Sequence, residues 1–247
     1  MKTARTAIVT GASSGIGKAI CERLLEQQWR VVGLARDFSK FDCDHANFTP
    51  VSLDLSRLVD LPPRLDELAG LYHGIDAVVC CAGKGRFGHL EQFSYAQIRE
   101  LLDLNFTSQA FVVRAFLPGM KQSGRGDIII MGSEAALRGS RKGSLYCASK
   151  FALRGFAQAL REETSAAGVR VCLINPGMVR TPFFDELDFE PGEEDDNYVL
   201  PEDVASVVYN ALQARAGTVV DEINLSPQKR VINFRRHAPT GDHGSKE

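Results

Sequence analysis

A chain of 247 residues that is 44% hydrophobic and 24% charged has an ordinary globular composition, long enough for one large domain or two small ones. Its formal net charge of -2 supplies no electrostatic attraction for nucleic acid or an anionic membrane surface. No apolar run reaches the ~20 residues needed to cross a bilayer, so neither kind of partner is expected.

Met1 to Arg5 lead directly into a strand-like run at 6–10, leaving no room for a secretory signal, and a cytoplasmic protein is expected. Thr10-Gly11-Ala12-Ser13-Ser14-Gly15-Ile16-Gly17 then opens a helix over 16–28. Glycines there permit a tight turn and close backbone approach, while the helix N-terminus offers unpaired N–H groups and a positive dipole end to a diphosphate. A strand at 30–35 ends in Leu34-Ala35-Arg36-Asp37. An acid at that strand end would accept from the 2′-hydroxyl of NAD, but Ala35 stands there, and the Arg36 guanidinium suits a 2′-phosphate. NADP(H) is therefore expected over NAD(H), with Asp37 turned to the ribose as the competing arrangement. A strand at 48–53 leads to Asp54 and Leu55, a helix follows over 56–71, and a strand at 77–81 leads to Ala82 and Gly83. The loop beyond carries Lys84 and Arg86.

A long helix over 95–121 holds Asn105, Phe106, Phe111 and Phe116. The strand at 127–131 reads Ile128-Ile129-Ile130, apolar at successive positions as in a sheet covered on both faces. Ser133, Glu134, Leu137 and Arg138 follow it. A helix over 144–167 carries Tyr146 and Lys150, four apart and so on one face. A strand at 169–174 runs into Asn175-Pro176-Gly177-Met178-Val179 and Thr181. Residues 182–200, with Phe183, Phe184 and an acidic run from Glu190 to Asp196, break the rhythm and read as a mobile, solvated lid. A helix over 201–214 and a strand at 219–225 close the pattern, and the polar tail 235–247 is expected to fray. The alternation specifies one α/β domain over 1–234, a doubly wound, mostly parallel seven-stranded sheet flanked by helices.

The six cysteines, Cys21, Cys43, Cys80, Cys81, Cys147 and Cys172, fit neither zinc spacing nor a disulfide framework. They read as packed, reduced thiols, with Cys80 and Cys81 on opposite faces of their strand, and no metal is expected. An isolated phenol ionises near pH ~10, and a neighbouring ammonium lowers that value, which would make Tyr146 an acid/base and Lys150 its activator. Alone, such a pair is common on helices. With Ser133 upstream and the glycine turn at the start, it describes a device for moving a hydride and a proton.

On these residues the chain resembles the short-chain dehydrogenase/reductase family over nearly its whole length. Thr10 to Gly17 matches the family's Thr-Gly-x-x-x-Gly-x-Gly turn, and Asp54 matches the aspartate that contacts adenine. Cys80-Cys81-Ala82-Gly83 stands where the family usually has Asn-Asn-Ala-Gly, which puts the sheet-steadying role of those amides in doubt. Asn105, Ser133, Tyr146 and Lys150 fit the catalytic tetrad. Asn175-Pro176-Gly177 with Thr181 fits the segment that closes over the nicotinamide.

The resemblance implies interconversion of a carbonyl compound (ketone, aldehyde or oxo acid) and its alcohol. Ser133 would bond the substrate oxygen, Tyr146 exchange the proton, Lys150 depress the tyrosine pKa and bond the ribose, and Asn105 hold a water that refills the tyrosine. Cofactor contacts would come from Gly11, Ser13, Ser14, Gly15, Ile16, Gly17, Arg36, Asp54, Leu55, Ala82, Gly83, Pro176, Gly177, Val179 and Thr181, together with Asn105, Tyr146 and Lys150. Substrate contacts are expected from Ser133, Tyr146, Lys84, Arg138, Met178 and Phe183, with Glu134 facing solvent. The segment Asp221 to Pro227 looks like members acting on small hydroxy acids or diverse aldehydes and ketones. Relatives pair their long helices, so a homodimer or homotetramer is expected, with Phe106, Phe111 and Phe116 as surplus apolar groups. The competing reading, a catalytically silent NADP(H)-binding sensor or regulator, has no need of the serine–tyrosine pair.

Overall fold

The computed structural model describes residues 4–39, 41 and 43–235. Seven parallel strands form one sheet: β1 (Thr6–Thr10), β2 (Arg30–Ala35), β3 (Phe48–Ser52), β4 (Ala77–Cys80), β5 (Gly126–Met131), β6 (Val169–Pro176) and, after the short β7 (Phe189–Pro191), β8 (Glu222–Leu225). Their order is β3-β2-β1-β4-β5-β6-β8. The chain therefore builds outward from β1 in one direction, returns to β4, and builds in the other. That reversal opens a crevice at the carboxyl ends of β1 and β4.

Alternation along the strands divides the apolar side chains between two cores. Ala7, Val9, Val31, Val79 and Ile129 pack with α1 (Gly15–Glu26) and α6 (Pro201–Leu212). Ile8, Val32, Val78, Ile128 and Ile130 pack with α2 (Leu61–Leu71), α4 (Ser108–Ser123) and α5 (Ser144–Thr164). Cys80 belongs to the second core and Cys81 packs against the first, so the adjacent thiols do face opposite ways. Phe116 is fully inside the second core, and Phe106 and Phe111 lie half-buried against it. These rings fill their own chain rather than standing out as surplus.

Several element ends differ from the sequence expectation. The helix expected from residue 56 begins at Leu61, because Asp54 accepts from the Ser56 N–H (2.9 Å) and hydroxyl (2.7 Å), holding a turn there. Pro62 and Pro63 then occupy the first helical turn, where a missing N–H costs nothing. The helix expected over 95–121 is α3 (Tyr95–Leu102), a π-turn over Asp103–Thr107, and α4. Helix α1 stops at Glu26, with Gln28 in the left-handed region just beyond. β8 starts at Glu222 rather than 219.

The 182–200 segment is held rather than loose. Its β7 pairs antiparallel with β9 (Ile232–Phe234), joining Phe189 to Phe234 and Pro191 to Ile232. Arg235, placed with the tail by sequence, donates its N–H to the Asp188 carbonyl (2.8 Å) and its guanidinium to Glu190 (2.8 Å). The rest of that tail, 236–247, lies outside the described residues. Among the described residues no helix is long and apolar enough to cross a membrane, and no group of His, Cys, Asp or Glu could hold a metal.

Candidate active site

One cleft of about 1270 Å³ lies over the crevice at β1 and β4. Every site residue expected from sequence borders it except Asn105, which sits behind the wall.

At one end lies the glycine turn. Gly11 has φ +67, and a Cβ on Gly17 would fall 2.2 Å from the Gly11 carbonyl oxygen, so the turn exists only because both lack side chains. Ser14 begins α1 without a side-chain bond to its N–H groups, leaving those donors aimed at the cleft. An open helix end above a side-chain-free cradle fits a diphosphate. Farther along, Arg36 is exposed on the cleft wall close to Asp54. Burial would raise the Asp54 carboxyl, but bonds from Ser56, with Arg36 and Arg57 nearby, hold it below its ordinary value. Asp37 accepts from the Ser39 N–H (2.8 Å) and hydroxyl (2.6 Å).

At the centre, α5 brings Tyr146 and Lys150 to the end of β5. Ser133 caps the turn after β5; its hydroxyl accepts from the Ala135 N–H (3.2 Å) and bonds the Tyr146 phenol. Asn175 buttresses Ser133, accepting from its N–H (3.2 Å) while its own amide donates to Glu222 and Asn224 (both 2.9 Å). Lys150 donates to the Met131 carbonyl (3.0 Å) and lies 5.7 Å from the Tyr146 ring centroid. Burial pushes the tyrosine up to about 12, against the Ser133 bond, and drops Lys150 to about 8. The expected lowering of the Tyr146 value by Lys150 does not show here: the ammonium donates to the Met131 carbonyl, and burial, opposed only by Ser133, sets the tyrosine.

Asn105 is fully buried in the π-turn, where Ser108 donates to a carbonyl five residues back. Its Oδ1 accepts from the Lys84 N–H (2.9 Å), and its Nδ2 donates to the Lys84 carbonyl (3.0 Å) and Ser149 (3.1 Å). Both amide protons are committed, so the side chain clamps the loop after β4 onto α5. Ser149, absent from the sequence reading, completes that clamp by donating to the Tyr146 carbonyl (2.7 Å).

Thr10, read from sequence only as the start of the glycine turn, and Gln109, not singled out at all, have a further role. The Thr10 hydroxyl accepts from the N–H groups of Cys81 (2.9 Å) and Ala82 (3.0 Å) and donates to Gln109 (3.2 Å). Gln109 in turn donates to the Ala82 carbonyl (3.0 Å). This pair steadies the β4 exit that the missing Asn-Asn amides left in doubt. Gln109 lies four residues after Asn105, on the same helical face, the one signal that could have found it.

On the substrate side, Lys84 and Arg86 both lean on Glu100 (3.7 Å each). Arg138 is exposed on the rim, and Met178 and Phe183 border the cleft. Glu134 turns only partly to solvent: it lines the cleft, its Oε2 is buried without a hydrogen bond, and Arg230 stands 3.7 Å away. Thr181 abuts the cradle, its Cβ lying 3.3 Å from where a Gly15 side chain would start.

The short chain dehydrogenase family model matches residues 5–191. An uncharacterised oxidoreductase of Staphylococcus saprophyticus is 30% identical, over 90% of this chain and 97% of that protein. The sepiapterin reductase of Chlorobaculum tepidum is also 30% identical, over 89% and 95%. An alcohol dehydrogenase from the archaeon Thermococcus sibiricus, solved with 5-hydroxy-NADP, superposes with a TM-score of 0.81 at 25% identity, covering 93% of this chain and 99% of that one.

Proposed function

Because this chain belongs to the short-chain dehydrogenase family, we propose that it interconverts a carbonyl compound and its alcohol with NADP(H), using Ser133, Tyr146 and Lys150 at the reacting centre. The observation that carries this reading is the meeting of those three side chains on one cleft, beyond the glycine cradle of β1 and α1. When bound there, the nicotinamide cofactor supplies or takes the hydride.

In reduction, the carbonyl carbon gains a hydride and its oxygen gains the phenolic proton of Tyr146. A phenol near 12 keeps its proton at neutral pH, so Tyr146 carries the proton to be given up, and the charge developing on the substrate oxygen must draw it across. The Ser133 hydroxyl holds the oxygen as charge develops. Lys150 and the Asn105–Ser149 clamp fix the tyrosine's helix against the cofactor loop.

Preference for NADP(H) rests on Arg36 at the β2 exit, on Asp37 being engaged by Ser39, and on the Thermococcus relative's bound 5-hydroxy-NADP. Residues 182–200 serve as the substrate lid. Assembly as a homodimer or homotetramer through the outer faces of α4 and α5 belongs to the same proposal, with Phe151 43% exposed on α5; sedimentation at micromolar concentration tests it.

The activity test follows NADPH oxidation at 340 nm with a panel of aldehydes, ketones and oxo acids. Wild type is expected to turn over some of them, and Tyr146→Phe to lower turnover by about three orders of magnitude with NADPH still bound. Tight NADPH binding without turnover across the panel would leave a binder, not an enzyme.

A further inference from the structure

Aromatic rings crowd the substrate side of the cleft in a way the reaction alone does not require. The Tyr146 ring lies 5.0 Å from Phe87 and 5.9 Å from Phe183, centroid to centroid, with planes inclined at 48° and 55°. Phe87 meets Phe189 edge-on at 5.0 Å and 82°, and Phe184 continues the wall to Phe189 at 5.9 Å. The phenylalanines come from three separate places: the loop after β4, the loop after β6, and β7. Phe87, Phe183 and Phe189 are only half-buried and border the cleft, so they are not simply core filling.

The loop beneath them is thinned to let them close. A Cβ on Gly85 would lie 2.5 Å from the Phe183 ring tip and 3.1 Å from Phe87. The nearest loop cations, Lys84 and Arg86, are drawn toward Glu100, and the polar side of the wall beside the phenol comes from Ser133 and Glu134, opposite the Phe87 and Phe183 rings. A saturated group placed there gains burial alone. A flat π-system gains burial plus edge-to-face contacts with rings already held at steep mutual angles.

Resting on the oxidoreductase reading above, we propose that the substrate is an aryl carbonyl compound: a ketone or aldehyde whose carbonyl carbon bears an aromatic ring, gripped by Phe87 and Phe183 at Tyr146. In the reduction, the carbonyl carbon forms a C–H bond with the hydride of the reduced cofactor. The carbon–oxygen π pair moves to oxygen, which takes the Tyr146 proton. The ketone gains two electrons from the reduced cofactor, a solvent proton restores the Tyr146 phenol, and the products are a benzylic-type alcohol and oxidised cofactor.

The test compares acetophenone with cyclohexyl methyl ketone, its saturated-ring counterpart, under saturating NADPH. Wild type should favour acetophenone in kcat/KM by about tenfold or more, the size two aromatic contacts supply. In Phe87→Leu and Phe183→Leu the ratio should fall below about threefold. Gly85→Ala, which pushes the Phe183 ring aside while keeping it in the chain, should do the same. A wild-type ratio near one, or a preference that survives all three substitutions, overturns the clamp, as does turnover of aliphatic carbonyls only. If no carbonyl compound oxidises NADPH, the oxidoreductase reading fails on its own, and calorimetry of acetophenone with the NADPH-mixed protein judges the clamp. Binding weakened in Phe183→Leu then supports it, and equal or undetectable binding overturns it.

Discussion

Burial sets the charge of the two side chains that meet at the reacting centre, and it does so in opposite senses. Lys150 falls from 10.5 to about 8, so between those values the unfolded chain binds more protons than the folded one. Stability contributed by this group therefore rises with pH from about 8 to 10.5, and below 8 the buried ammonium is a cost. Tyr146 moves from 10 to about 12, so above pH 10 the unfolded phenol loses its proton first and stability falls. Lys150→Met removes the first effect and leaves the second. In urea titrations, the stability of wild type minus that of the variant should rise by on the order of 3 kcal/mol between pH 7 and 10.5. Taking the difference cancels the buried thiols Cys80, Cys81 and Cys172, which also resist ionisation up to about 12. A flat difference would mean that the lysine is not depressed. The same desolvation explains why a tyrosine–lysine spacing predicts proximity better than it predicts acidity: the sequence puts the groups on one face, and only the fold decides what each is solvated by.

Two local devices hold the site in shape, and each can be cut separately. The Thr10 hydroxyl serves two N–H groups at the β4 exit, and Thr10→Val would leave both without that acceptor beside a fully buried side chain. A loss of about 1–3 kcal/mol is expected by urea melting, with weaker NADPH binding because Ala82 and Gly83 shift. The β9 strap is the other device. Ending the chain after residue 228 removes the Val231 carbonyl that Gly192 donates to (3.0 Å), the Lys229 N–H that reaches Asp196 (2.8 Å), and every Arg235 bond. Limited proteolysis should then cut within 185–197 about tenfold faster than in wild type, while the melting transition of the sheet moves little. Why this strap was unreadable is plain: β7 and β9 are three residues each, too short to show a period of two, and their partner lies far along the chain. The π-turn at Asp103–Thr107 hid for a different reason, since one widened turn leaves the apolar period of the flanking helices nearly intact. By contrast, the central strands were legible because both faces are covered, and so were the glycine turn and Tyr146, whose spacing is tied to element ends. Phe87 and Phe189 carried no such marker; a lone phenylalanine in a loop looks the same whether it packs inward or lines a cleft.

The two halves of the sheet meet at the crevice between β1 and β4, and the cofactor cleft crosses that seam from Arg36 to Lys150. A ligand held by both halves stabilises the entire fold by mass action, about 2.7 kcal/mol at a hundredfold excess over its dissociation constant. For a chain of 247 residues that corresponds to a melting shift of roughly 5–10 °C. With Arg36 holding the 2′-phosphate, as proposed above, the size of this shift would depend on one phosphate group. Its guanidinium stands on the cleft wall at the β2 exit, Ala35 offers the 2′-hydroxyl of NADH no carboxylate, and Asp37 is engaged by Ser39. At equal concentration NADPH should therefore raise the melting temperature more than NADH does. Arg36→Ala should shrink the NADPH shift toward the NADH value, since a charge-assisted phosphate contact of about 1.5–3 kcal/mol is lost. The variant's own melting temperature without nucleotide should stay within about 1–2 °C of wild type, because an exposed arginine contributes little to stability. Differential scanning fluorimetry of the two proteins with the two nucleotides reads all of this at once, and an unchanged NADPH shift in Arg36→Ala would remove the 2′-phosphate contact from the account.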